Sequence, residues 1–200
     1  MTDPRIAELL AARLCHELVG PIGAIGNGVE LLTEDGADFA ADAVALIGDS
    51  ARQAASRLQF YRFAYGFDRA HGAAGPVPYE LAAAFFQGTR VACNYHDGVR
   101  ALPLDQQKLA CNMLLCAAEA LPRGGKLLVA ASAAGPQIEA GGDGAALSPE
   151  TRAGLALATP FGELSSRTVQ AYFTGLLAQA IGRRIAVEAQ TGCLRLTLSP

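Results

Sequence analysis

The chain has 200 residues, 51% of them apolar, with 16 Lys and Arg against 19 Asp and Glu and a net charge of −3. That length allows one large domain or two small ones around a packed core, and the mild acidity excludes the basic stripe expected of a nucleic-acid-binding surface. The start, Met1-Thr2-Asp3-Pro4, lacks a basic and then apolar leader, and no run reaches about 18 uninterrupted apolar residues. The expectation is a soluble, cytoplasmic protein that meets neither membrane nor nucleic acid.

From Pro4 onward the apolar residues Ile6, Leu10, Leu14, Leu18, Ile25, Val29 and Leu32 recur mostly at steps of three and four, which predicts a first helix ending at a turn marked by Gly36. A second helix follows, with Asp38 as N-cap and a stripe of Ala43, Leu46 or Ile47, Ala51, Ala54, Leu58, Tyr61 and Tyr65. Each helix would be about 45 Å long at about 1.5 Å per residue. One hairpin buries a single face of each helix, so the rest of the apolar surface predicts a homodimer in which two hairpins form a four-helix bundle. Coverage of the hairpin by the second half of the chain is the alternative.

Residues 71–76 read as a linker, so the expected domains are 1–70, a helical hairpin, and 77–200. In the second domain, helices are expected at 79–87, 104–121, 149–157 and 168–181. Strands are expected at 91–94, 99–102, 126–132, 137–140, 185–189 and 193–198, which together make an α/β sandwich and an α+β chain overall. The five cysteines, Cys15, Cys93, Cys111, Cys116 and Cys193, form no Cys-x-x-Cys pair, which argues against a disulfide framework or a zinc site. They read as reduced, mostly buried thiols.

The stretch with a chemistry in its order is His16-Glu17-Leu18-Val19-Gly20-Pro21. Gly20, Gly23 and Asn27 share the helical face of His16, with Ala12 and Arg13 a turn earlier, while the leucines run elsewhere. Each mid-helix glycine costs about 1 kcal/mol relative to alanine, and close approach by another protein would account for the pair. A surface imidazole with a free lone pair can attack phosphorus, Glu17 is expected to orient the ring and stabilise its cationic form, and Pro21 is expected to bend the helix. His71 and His96 have no such setting and read as surface residues.

The run His16-Glu17-Leu-x-x-Pro21-Ile22-x-Ala24-Ile25 resembles the H-box of sensor histidine kinases, whose histidine is phosphorylated on a dimeric helical bundle. Leu109-x-x-Asn112-Met113-Leu114-x-Cys116-Ala117 with Pro122-x-Gly124-Gly125 resembles the N-box of their ATP-binding domain, and Gly182 to Gly192 resembles its terminal hairpin. The nucleotide chemistry departs from that pattern. Cys116 stands where a kinase has its Mg²⁺-binding asparagine and Glu119 where it has a phosphate-facing lysine. The adenine box is absent from Gly141–Ala145, and no glycine-rich lid precedes Arg167-Thr168-Val169-Gln170-Ala171-Tyr172. A thiol is a poor ligand for a hard cation, and a carboxylate repels a triphosphate.

A phosphorylatable histidine joined to a degenerate kinase-like domain resembles the ChpT family of histidine phosphotransferases, as do residues 23–32 and 168–172 in particular. The resemblance implies a phosphorelay in which His16 takes phosphoryl from the receiver domain of a hybrid histidine kinase and passes it to response-regulator aspartates that control the cell cycle. Glu17 would assist, Ala12, Arg13, Gly20, Gly23 and Asn27 would dock the receiver, and the receiver would supply Mg²⁺. No cofactor or metal would bind this chain. Gly20, where bifunctional kinases carry threonine or asparagine, implies transfer rather than assisted hydrolysis. An active kinase with a divergent ATP site and a non-catalytic dimeric docking or inhibitor protein remain the competing readings.

Overall fold

A computed structural model describes residues 3–34, 39–66 and 77–200. Helix α1 (Pro4–Glu34) and helix α2 (Ala40–Tyr65) pair antiparallel as a hairpin. Gly28 fixes how closely they approach, because a Cβ there would stand 2.6 Å from Ile47 Cγ1 and 3.3 Å from the Ala43 carbonyl oxygen. Helix α1 runs on through Pro21 without interruption. The expected turn at Gly36, the Asp38 cap and the 71–76 linker with His71 lie outside the described residues.

The two expected stripes divide between two faces. Leu18, Pro21, Ile25 and Gly28 of α1 meet Ala43, Ser50, Ala54 and Arg57 of α2, all buried or half-buried. Val19, Ile22, Gly26 and Val29 stand one residue ahead of the inward row and are exposed, Val19 by 66%. Val44, Ala51, Ala55 and Leu58 do the same on α2. One residue is a rotation of about 100°, and in antiparallel helices that advance turns both rows to the same side of the hairpin. Ala51 and Leu58, expected inward, therefore point to solvent, and of the alternatives Leu46 and Ile47 it is Ile47 that turns toward α1.

Helix α3 (Pro78–Phe86), strand β1 (Val91–Tyr95) and helix α4 (Leu104–Glu119) come next. They are followed by strands β2 (Gly125–Ser132) and β3 (Gly135–Gly141), helices α5 (Pro149–Leu155) and α6 (Val169–Ala180), and strands β4 (Arg184–Gln190) and β5 (Cys193–Ser199). The sheet order is β1-β2-β3-β5-β4, with β1 parallel to β2 and the other pairs antiparallel. Leu127, Val129, Ile138, Ala140, Leu194 and Leu196 alternate inward from the central strands, the period-two pattern of a sheet covered on one face. Helices α3, α4 and α6 pack over it. The strand expected at 99–102 is instead a 3₁₀ turn, Asp97–Ala101, in which Val99 alone is buried; a single anchored residue supplies no alternation. The cysteines are free thiols, with Cys111 and Cys116 buried and Cys15 exposed, so the expectation of mostly buried thiols held only in part.

The main core crosses from the hairpin into the sandwich: Phe60, Tyr61 and Ala64 join Leu81, Phe85, Leu109 and Met113 in one cluster. A polar network lies beside it. Asn112, wholly buried, donates from its side-chain amide to the carbonyl oxygens of Ala64 (2.8 Å) and Lys108 (2.9 Å) and accepts from Gln170 Nε2 (3.1 Å). Tyr65 Oη donates to Gln170 Oε1 at 2.5 Å, and Lys108 Nζ donates to the Gly66 carbonyl. At the other edge, Ile6 and Leu10 of α1 pack on Val169, and Arg5 Nη2 donates to the Gly162 carbonyl at 2.8 Å. By length and composition Pro4–Thr33 is apolar enough to cross a membrane, but its Arg13 and Glu17 are both ion-paired to other elements of the fold.

Asn112→Ala leaves the Ala64 carbonyl and the Gln170 amide without their buried partner, and each such loss costs about 1–3 kcal/mol. The variant is expected to be less stable by about 2–4 kcal/mol in urea unfolding; a loss below about 0.5 kcal/mol would remove the network from this account.

Candidate functional site

His16 is exposed near the middle of α1, with Ala12, Gly20, Gly23 and Asn27 exposed in the same row. Gly20 and Asn27 stand one residue behind the inward Pro21 and Gly28, and His16 and Gly23 two residues behind Leu18 and Ile25, so the row faces away from α2, about 100° around the helix from the Val19–Val29 row. A Cβ built on Gly20, Gly23 or Gly26 meets nothing within 4 Å, so no packing inside the described chain calls for glycine there.

A surface hollow of about 400 Å³ opens beside the imidazole, lined by His16, Glu17, Gly20, Pro21 and Ala24 of α1 and by Gln53 and Arg57 of α2. Pro21 has no N–H, so the Glu17 carbonyl at the edge of this hollow lacks its intrahelical donor. Sequence reasoning missed Gln53, Arg57 and Phe85. A hairpin turning near Gly36 brings position 57 opposite position 16, and that mirror relation was the available signal for Arg57. The guanidinium of Arg57 donates to Glu17 Oε2 and lies 5.3 Å from the centre of the Phe85 ring on α3, while its Nε is buried without a partner among the described residues.

Two expected roles change. Glu17 was expected on the imidazole; in the structure its carboxylate is engaged by Arg57 of α2, and both line the same hollow as His16. Arg13 was expected at the docking face, but its side chain is only 13% exposed and forms a 2.5 Å ion pair with Glu119 at the end of α4. It fastens α1 to the second half of the chain. Burial pushes the Glu119 carboxyl above the ordinary range, and the Arg13 charge opposes that shift.

The residues that resemble the N-box are committed to the protein itself. Asn112 is saturated by Ala64, Lys108 and Gln170, and Cys116 Sγ lies 3.4 Å from Thr174 Oγ1 of α6. Burial, aided by the Glu119 charge, pushes the Cys116 thiol up to about 12, so it stays neutral. A cleft of about 630 Å³ between Arg13, Glu119, Ser148 and Arg167 lies where α1 meets the second half of the chain, and Glu119 neutralises the Arg13 charge that lines it. Among the described residues no three His, Cys, Asp or Glu side chains converge as metal ligands.

The family described as the histidine phosphotransferase C-terminal domain matches residues 79–192. Over 193 residues the chain is 37% identical to the protein phosphotransferase ChpT of Brucella abortus (strain 2308), covering 92% of this chain and 90% of that protein. A solved structure of a bacterial phosphotransferase superposes with a TM-score of 0.79 at 32% identity, covering 100% of this chain and 98% of that one.

The two kinds of helical glycine should respond to alanine with opposite signs. Gly23→Ala is expected to stabilise the fold by about 1 kcal/mol through helix propensity, and Gly28→Ala to destabilise it by about 1–3 kcal/mol through overpacking against Ile47. Chemical denaturation of both variants checks this, and shifts of equal sign would contradict the assignment of faces.

Proposed function

The chain belongs to the ChpT family of histidine phosphotransferases, and from that premise we propose that it relays phosphoryl groups between aspartates of receiver domains through His16. The observation that carries this reading is the placement of His16: exposed, over a glycine-floored hollow, on the rigid wall of a hairpin.

In the first transfer a lone pair of one ring nitrogen attacks the phosphorus of an aspartyl phosphate. The N–P bond forms as the P–O bond to the aspartate breaks, the electron pair leaves on the carboxylate, and the ring's other nitrogen can release its proton to water. The second transfer is the reverse, onto the aspartate of a response regulator. Such a step needs alignment and charge neutralisation more than covalent help. The side-chain-free face at Gly20 and Gly23 lets a partner come close enough for alignment, and Asn27 and Ala12 extend the same face. Mg²⁺ in the receiver's acidic pocket supplies charge neutralisation.

The donor in this reading is the receiver domain of a hybrid histidine kinase, the acceptors are response regulators governing the cell cycle, and the location is the cytoplasm. The commitment of Asn112, Cys116 and Glu119 to contacts within the chain supports a protein that neither binds ATP nor phosphorylates itself. The exposed row Val19-Ile22-Gly26-Val29 and the row Val44-Gly48-Ala51-Ala55-Leu58, exposed but for the half-buried Gly48, support a homodimer. Both alternate steps of three and four, both lie on one side of the hairpin, and the small residues of the second admit a close neighbour.

Incubation with a phosphorylated receiver domain is expected to label the wild-type protein. His16→Ala should take no label, and Gly23→Leu should fold normally yet transfer at least 100-fold more slowly, about 2.7 kcal/mol of lost transition-state access. Labelling by ATP and Mg²⁺ alone would favour an active kinase, and full relay activity in His16→Ala would favour a docking protein. For the dimer, Ile22→Asp combined with Leu58→Asp is expected to halve the mass measured by light scattering; an unchanged mass would place the subunit contact elsewhere.

A further inference from the structure

The hollow beside His16 holds one carboxylate, Glu17, and a single cation among its lining residues, Arg57. Before phosphorylation these two charges cancel. A phosphoryl group on the imidazole adds close to two negative charges to the same small volume, adjoining the Glu17 carboxylate, and leaves the hollow without balance. The other arginine on this stretch of α1, Arg13, is held by Glu119, and Arg52 of α2 pairs with Asp49.

Arg57 is built to take up that charge. Its side chain is only 19% exposed, its guanidinium lies against Phe85, and the bond to Glu17 fixes its position at the wall of the hollow. A guanidinium carries five donors in a rigid fork and can serve two anions together. Glu17 engages Nη1, and Nε has no partner among the described residues. A hydrogen-bond donor left buried and unpaired is costly in a resting structure, which is the condition expected of a group arranged for a charge that arrives later.

We propose that Arg57 is the charge-neutralising residue of phosphoryl transfer on this chain: it bonds a phosphoryl oxygen when the group sits on His16, while Glu17 holds it ready between transfers. This rests on His16 being the phosphoryl acceptor. It also gives the Phe85 contact a meaning, since Phe85 belongs to α3 of the second half of the chain and supports the guanidinium from behind. The orientation of the two halves thereby bears on the transfer step.

A double-mutant cycle separates this role from a structural one. The full chain, with Arg57→Gln, Glu17→Gln, both together and Arg57→Lys, is incubated with phosphoramidate, a small donor that needs no docking. The initial rate of phosphohistidine formation is followed by intact-mass spectrometry, with circular dichroism as the folding check. Arg57→Gln is expected to slow the reaction about tenfold and to slow it by a similar factor in the Glu17→Gln background, while Arg57→Lys retains more of the rate than Arg57→Gln. An unchanged rate in Arg57→Gln, or an effect that disappears once Glu17 is Gln, would overturn the proposal and leave the ion pair a structural fastening. Should Arg57→Gln fail to fold, Arg57→Met, which keeps the packing over Phe85, takes its place with the same expected loss. If wild type acquires no phosphoryl group from phosphoramidate or from a phosphorylated receiver while remaining folded, the assignment of His16 itself fails.

Discussion

The amide of Asn112 holds the last turn of α2 by the Ala64 carbonyl, and the presentation of the histidine depends on that buried contact. Gln170 receives Tyr65 on one side of its amide and reaches Asn112 and Thr174 with the other, so α2, α4 and α6 are joined through groups that leave no room for sliding. Buried polar networks of this kind set orientation more than they add stability, because any displacement strands a donor or acceptor away from water. The Arg13–Glu119 pair fastens the other helix of the hairpin to the C-terminal end of the same helix, α4. With one end of the hairpin held at two places, the middle of α1 can stand in solvent and still have a defined position.

The hairpin presents three faces. One packs the helices together at Gly28, Pro21 and Ala43; a second exposes Val19, Ile22 and Leu58; a third, turned away from α2, exposes His16 and its glycines. On α1 the apolar row and the histidine row are about 100° apart, so they form distinct surfaces. The helix that resembles a nucleotide-binding element anchors the hairpin: its Asn112 and Cys116 face Ala64, Gln170 and Thr174.

The elements that sequence reasoning placed correctly are those with a strong period or an unambiguous stop: the long helices, the β2–β3 and β4–β5 hairpins, and the turn at Gly192, which takes the left-handed conformation that glycine tolerates. The stretch around Val99 was misread because a lone buried valine between polar residues resembles half a strand. The hairpin stripes were misread more instructively. Leu58 and Ala51 are apolar yet face outward in this chain, and periodicity alone does not distinguish a residue that meets the mate helix from one on the exposed row beside it. His16 and its glycine row were legible because they break the apolar rule on one face. The partners of Glu17 and Arg13 were not, since ion pairs over 40 and 106 positions depend on how elements are brought together.

The central claim is that His16 is a waypoint between two aspartates, and the most direct measurement follows one phosphoryl group through it. A receiver labelled on its aspartate is mixed with the protein, the donor is removed, and an unlabelled second receiver is added while peptide mass spectrometry locates the label at each stage. The account predicts label on His16 after the first step and on the second receiver's aspartate, with loss from His16, after the second. Label that never rests on His16, or that reaches the second receiver without passing through this chain, would contradict it.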